Sequence, residues 1–170
     1  MKPVRILVVD DHDILREGLK AVLLSQPGFE ICGEAATGLA AVSMASAERP
    51  DVIIMDIHMP GLNGLDATKR ILEVLPLTQI LILSAYESET LIRQMLESGA
   101  RGYVLKADIS EDLILAVERI SKGRLYFASS VSNLVLAESR RVTAVNGEAA
   151  PRPELTARER EVLQLLADGL

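Results

Sequence analysis

Tryptophan is absent from this chain, and two phenylalanines and three tyrosines are its only other aromatics. With 49% apolar residues, the core must therefore be aliphatic, made of Val, Ile, Leu and Ala. A single cysteine excludes an internal disulfide framework. Cys32, in the apolar stretch Phe29-Glu30-Ile31-Cys32, reads as a small strand residue. No apolar run approaches the roughly 18 residues of a membrane span. The start, Met1 to Arg5, reaches Asp10-Asp11 too soon for a secretory signal, so a cytoplasmic protein is expected. Positive charge is also scarce. Residues 1–122 carry 18 acids against 12 bases and residues 123–170 carry 6 of each, which leaves no basic face for nucleic acid.

What is present is a regular alternation. Val4–Val9 is a continuous apolar run ending in Asp10-Asp11, and Asp13 is placed to cap a helix with the stripe Leu15, Leu19, Val22 and Leu23. A second strand, Phe29–Ala35, precedes an Ala-rich helix over residues 37–47. Val52–Asp56 is a strand of the doubly buried type found in parallel sheets, closed by Met59-Pro60-Gly61. A helix over 65–75, a strand at Gln79–Ser84 and a helix over 89–97 stopped by Gly99 follow. The strand Gly102–Leu105 and a helix over 110–121 complete the unit. Five such alternations predict an α/β domain with a doubly wound, five-stranded parallel sheet over residues 1–122.

In a parallel sheet all the carboxyl ends of the strands share one rim, where ligands bind. Asp10 and Asp11 end the first strand, Asp56 the third, Ser84 the fourth, and Lys106 follows the fifth. Three carboxylates brought together disfavour one another's ionisation, and a hard divalent cation such as Mg²⁺ relieves this. A phosphoryl group could then sit between the cation and Lys106, attacked in line by an Asp oxygen, with Ser84 donating to it afterwards. His12 and His58 read as exposed loop residues, because oxygen-rich surroundings favour a hard ion over a zinc-type site.

These residues, in this order, resemble the receiver domain of two-component response regulators: an acidic pair, a lone Asp followed by Met-Pro-Gly, Ser, and Lys within Gly-Tyr-Val-Leu-Lys. The resemblance covers residues 4–122 and implies the flavodoxin/CheY-like strand order 2-1-3-4-5. It makes Asp56 the phosphoacceptor for a histidine kinase. It makes Asp10, Asp11, Asp56 and the backbone carbonyl of His58 the Mg²⁺ ligands, and Lys106 and Ser84 the groups that hold the phosphoryl. Ser84 and Tyr103 would be the switch pair, Tyr103 turning inward as Ser84 moves. The His58 side chain, two residues past the acceptor, would influence phosphoryl lifetime. One position departs from the pattern: Ala107 stands where many members have Pro. A non-proline cis bond costs about 3 kcal/mol, so none is assumed after Lys106.

Beyond Gly123 the alternation stops. A short helix is expected over 130–140, and Asn146-Gly147 and Pro151-Arg152-Pro153 mark residues 123–153 as a linker. The stretch from Leu155 to Gly169, opened by the capping box Thr156-Ala157-Arg158-Glu159, is similar to the start of a LuxR-type helix-turn-helix domain. Residues 154–170 then read as its first helix. With the Asp10-Asp11-His12 start, this points to the NarL/FixJ branch. DNA would be reached only through a full-length C-terminal domain, since the recognition helix would lie beyond Leu170. Ile114 and Leu115 widen the apolar stripe of the last receiver helix, and a homodimer on activation is expected there, alongside the simpler reading of a wide core stripe. Two other functions remain in view: a receiver that only docks, and an Mg²⁺-dependent phosphatase with an Asp nucleophile. The phosphatase family places its nucleophile after the first strand, unlike the lone Asp56 here.

Overall fold

Val52 to Asp56 is buried at every position, so the strand at the centre of the chain is covered on both faces. The computed structural model describes residues 2–127. The linker beyond Phe127, the helix expected at 130–140 and the helix-turn-helix-like tail lie outside the described residues. In chain order the elements are β1 (Val4–Val9), α1 (Asp13–Leu24), β2 (Phe29–Ala35), α2 (Gly38–Glu48), β3 (Val52–Asp56) and α3 (Gly64–Val74). There follow β4 (Gln79–Ser84), α4 (Glu89–Ser98), β5 (Gly102–Leu105), a 3₁₀ turn (Lys106–Asp108), α5 (Ile109–Ser121) and β6 (Tyr126–Phe127).

The sheet order is β2-β1-β3-β4-β5-β6, with every pair parallel. The expected order 2-1-3-4-5 is therefore present, with one strand added. β6 pairs with β5 through Gly102↔Tyr126 and Tyr103↔Phe127, so the sheet runs past residue 122, where the alternation in the sequence stops. Two residues are too short a run for an alternating pattern to register. Side-chain contacts hold the strand instead: the Tyr126 hydroxyl donates to Asp112 Oδ1 on α5 at 2.8 Å, and Arg101 donates to the Gly123 carbonyl. Burial, with the Asp112 carboxylate beside it, pushes the Tyr126 phenol well above its usual pKa. Tyr126→Phe should cost about 1–2 kcal/mol, the worth of a hydrogen bond to a charged acceptor, in chemical denaturation. A loss below about 0.3 kcal/mol would mean that β6 is held by its backbone pairing alone.

Side chains alternate along each strand between two aliphatic layers. Ile6, Val8, Ile54, Leu81, Leu83 and Val104 meet Leu19 and Leu23 of α1 and Leu113, Val117 and Ile120 of α5. Leu7, Val9, Ile53, Met55, Ile80 and Ile82 face Ala41 and Ala45 of α2, Ile71 of α3, and Ile92 and Met95 of α4. Ile114 packs against the first layer, while Leu115 remains 42% exposed. The widened stripe of α5 is thus half core and half surface.

Helix starts follow the capping rules in three cases. Thr37, Asn63 and Ser88 accept from the backbone amides of Ala40, Asp66 and Leu91. The start of α1 corrects the expectation for Asp13. His12 occupies the cap position without a side-chain bond to the helix, and Asp13 is the first helical residue, paired with Arg16. The reason is local: Asp10 Oδ1 already accepts from the His12 amide, which sets the chain direction before Asp13 is reached. At the other end, Gly99 closes α4 with φ 96°, as expected of a left-handed C-terminal stop.

Candidate functional site

Register brings the strand ends level. Val9 pairs with Met55, so Asp10 and Asp56 stand side by side, one residue beyond. Asp56 pairs with Leu83, which puts Ser84 one step further along the same rim. Ser84 pairs with Leu105, and Lys106 follows at once. No cis peptide occurs among the described residues, so the turn from β5 into Lys106–Asp108 aims the lysine through a trans bond.

The lysine reaches inward. Lys106 Nζ lies 2.7 Å from Asp10 Oδ2 and 3.1 Å from Asp56 Oδ1. Burial acts to lower its pKa, but the two carboxylates outweigh this and the ammonium is held above its ordinary value. Asp10 is fully buried; its Oδ1 accepts from the His12 amide at 2.9 Å and lies 3.0 Å from His12 Nδ1. Asp56 is 1% exposed, and apart from the Lys106 ammonium beside Oδ1 its buried carboxylate is left without partners. Burial, with Asp10 adding repulsion, raises its pKa against the pull of Lys106. Asp11 Oδ1 is likewise buried without a hydrogen bond.

Buried carboxylate oxygens without partners are costly and call for a cation. Asp10, Asp11, His12 and Asp56 each offer one donor atom, all within 4.8 Å of one another. The residues therefore fit a divalent ion, with Lys106 as a fixed positive neighbour on one side. His12 keeps the exposed loop position expected of it and adds a contact. Its ring is 69% exposed, as a loop residue's should be, but Nδ1 turns back onto the acidic pair instead of into solvent.

Ser84 and Tyr103 converge on one acceptor. Ser84 Oγ donates to the Tyr86 carbonyl at 2.8 Å and accepts from the Tyr86 amide at 3.1 Å. The Tyr103 hydroxyl donates to the same carbonyl. Tyr103 is fully buried, so its ring is already on the inward side, and burial pushes its pKa up. His58 is exposed, its ring edge-on to Tyr86 at 6.1 Å between centroids.

Sequence reasoning did not single out Arg16. Its Nη1 donates to the Asp10 backbone carbonyl at 2.7 Å, while Nη2 pairs with Asp13 and Nε reaches Glu34 on β2. It thus braces the acidic loop from below. The i,i+3 spacing of Asp13 and Arg16 was the available signal. Arg16→Ala should lower divalent-cation affinity about tenfold, read by calorimetric titration, because it frees the loop that carries Asp10 and Asp11. Unchanged affinity would reduce Arg16 to a surface strap.

Residues 6–118 match the family described as the response regulator receiver domain. The chain is 38% identical to the transcriptional regulatory protein LiaR of Bacillus subtilis (strain 168), over 98% of this chain and 77% of that protein. It is 35% identical to the transcriptional regulatory protein DegU of Brevibacillus brevis, over 98% of this chain and 75% of that one. Among solved structures, a two-component response regulator of the LuxR family from Aurantimonas sp. SI85-9A1 is similar at 32% identity. That match has a TM-score of 0.77 and covers 83% of this chain and 99% of the other.

Proposed function

Because this chain belongs to the response regulator receiver family, in its NarL/LuxR-type transcriptional branch, we propose that Asp56 accepts a phosphoryl group from a histidine kinase. The observation that supports Asp56 over the other acids is its freedom. Asp10 is engaged by both Lys106 and His12, whereas Asp56 is buried and meets only the Lys106 ammonium, through Oδ1. An Asp56 oxygen forms the new bond to phosphorus as the bond to the donor nitrogen breaks, its electron pair leaving with the kinase histidine. Lys106 transfers its ion pair to the incoming phosphoryl oxygens. Ser84 rotates from the Tyr86 carbonyl to donate to the phosphoryl group, and Tyr103 remains on that carbonyl as the inward half of the switch.

Asp10, Asp11, Asp56 and the backbone carbonyl of His58 are the groups we assign to Mg²⁺. When bound, the cation neutralises the carboxylates and the phosphoryl oxygens that approach them. Phosphorylation adds about one to two negative charges beside Lys106, enough to bias a two-state element of a few kcal/mol.

The relatives are transcriptional regulators, and control of transcription is the function of the branch. We assign residues 1–122 and the added β6 to the receiver, the stretch up to 153 to a linker, and 154–170 to the first helix of a LuxR-type DNA-binding domain. Phosphorylation then releases or pairs that output, with the exposed Leu115 on α5 as part of the homodimer face. The reading keeps the chain in the cytoplasm. Among the described residues no helix is long and apolar enough to cross a membrane.

A small phosphodonor with Mg²⁺ tests the reading. A regulator gains one acid-stable, base-labile phosphoryl per chain, measured by intact mass. A phosphatase turns over many equivalents, and a docking unit does neither. His58 borders the route of an attacking water, so His58→Ala should change the dephosphorylation rate about tenfold in a decay time course. An unaltered decay would remove His58 from the site.

A further inference from the structure

The pairing of β1 with β2 ends at Val9↔Ala35, and its last bond runs from the Asp10 amide to the Ala35 carbonyl at 3.1 Å. The Asp10 carbonyl, which leads into Asp11, has left the sheet and is taken by Arg16 Nη1. Two acids hold the rest of that guanidinium, and they differ in what they can fix. Asp13 accepts from Nη2 at 2.5 Å, but it is 86% exposed and shares α1 with Arg16, so it ties the helix only to itself. Glu34 accepts from Nε at 3.4 Å and belongs to β2, next to the residue that holds the Asp10 amide. The same carboxylate accepts from Lys20, one turn further along α1, at 3.0 and 3.2 Å. Lys20, with Arg16 adding to it against the opposing effect of burial, holds Glu34 below the usual carboxylate range. The Arg16 and Lys20 side chains are only 14% and 18% exposed, so they pack along the protein and do not wave in solvent. Glu34 thus joins α1 to the sheet edge at the level of the acidic loop.

We propose that Glu34 is a positioning residue for the cation pocket. By keeping the Arg16 fork on the Asp10 carbonyl, it fixes the peptide between Asp10 and Asp11, and so sets how tightly the divalent ion is held. The guanidinium is rigid and planar, which is what carries the effect. With Nε directed at Glu34 and Nη2 at Asp13, Nη1 is left directed at the carbonyl. Ligands that are already aligned lose less freedom when the ion binds, and the gain appears in affinity, not in the chemical step. Glu34 reaches the pocket only through Arg16, so it touches neither the ion nor the phosphoryl group. The inference rests on the reading of Asp10, Asp11 and Asp56 as the cation site for phosphoryl transfer, and it adds to that site a determinant on β2.

The test uses the full chain, Mg²⁺ and a small phosphodonor. Glu34→Gln should raise the Mg²⁺ concentration for half-maximal phosphorylation about fivefold and leave the rate at saturating Mg²⁺ unchanged, since only ligand alignment is lost. Calorimetric titration should show the same loss of Mg²⁺ affinity. Removing a negative charge also weakens cation binding at long range, so the substitution is repeated in Arg16→Ala. There Glu34→Gln should have no further effect, whereas a plain charge effect would persist in full. An unchanged half-saturation in Glu34→Gln overturns the proposal, as does a shift of equal size with and without Arg16. A change confined to the saturating rate overturns it too, because Glu34 would then act on the chemical step. A wild type whose phosphorylation does not depend on Mg²⁺ gives a different result: the pocket itself is then misread, and the proposal falls with it.

Discussion

Asp56→Asn is expected to abolish phosphoryl incorporation from a small donor and at the same time to make the protein more stable. The two effects have one cause. The Asp56 carboxylate is buried and stands beside Asp10, and the Lys106 ammonium, which it meets through Oδ1, only partly offsets these costs. An amide of the same shape removes the charge, and its N–H groups can donate to the neighbouring acids. Replacing an imperfectly compensated buried charge in this way should add about 1 kcal/mol at neutral pH. The pH dependence follows in sign. A carboxyl whose pKa is raised by folding binds its proton more readily folded than unfolded. Wild-type stability should therefore fall as pH climbs from the ordinary carboxylate range through the raised value, and this component should vanish in Asp56→Asn. Thermal melts of both proteins across that range, in the absence of divalent ions, provide the check. Mg²⁺ should then narrow the gap by stabilising the wild type more. A variant that melts lower than the wild type, or still takes up phosphoryl, would remove Asp56 from the role proposed for it.

Gly64→Ala should be the most damaging single methyl in the receiver. Gly64 opens α3 where it passes directly under the end of β3, its amide donating to the Ile57 carbonyl at 3.0 Å. A Cβ there would fall 1.9 Å from the carbonyl oxygen of Asp56 and 2.8 Å from its carbonyl carbon. Backbone cannot swing aside as a flexible side chain does. Either α3 lifts off the sheet or the Asp56 peptide shifts, and a cost of about 3 kcal/mol or more is expected in chemical denaturation. Moving the nucleophile by even about 1 Å should slow phosphoryl uptake on the order of 100-fold. Gly61→Ala is the informative control. Gly61 has φ 79° but open space around its Cβ, so only the left-handed backbone is strained, at about 1–2 kcal/mol. If Gly64→Ala proves no worse than Gly61→Ala, the close approach of α3 to the acceptor is not a constraint on the site.

Much of this was legible from one dimension. Val52-Ile53-Ile54-Met55 reads as a strand buried on both faces because nothing polar interrupts it, and a carboxylate directly after such a run must emerge at the sheet rim. The same logic placed Asp10, Ser84 and Lys106, and the structure levels all of them along neighbouring strands. The end of the domain was not legible. Tyr126 and Phe127 join the sheet through backbone pairing and the Tyr126–Asp112 bond, and two residues carry no periodicity.

By itself, then, the order of apolar runs and carboxylates determined the parallel sheet, the rim and the acids that gather there. Only the tertiary structure decided how those acids are engaged. Lys106 takes up Asp10 and one oxygen of Asp56, Arg16 braces the Asp10 carbonyl, and His12 turns its ring onto the acidic pair. Composition and spacing are properties along the chain, and they specify which strand end a side chain occupies. The partner of a buried oxygen depends on rotamers and ångström-scale separations between residues distant in sequence, which become defined only when the strands pack.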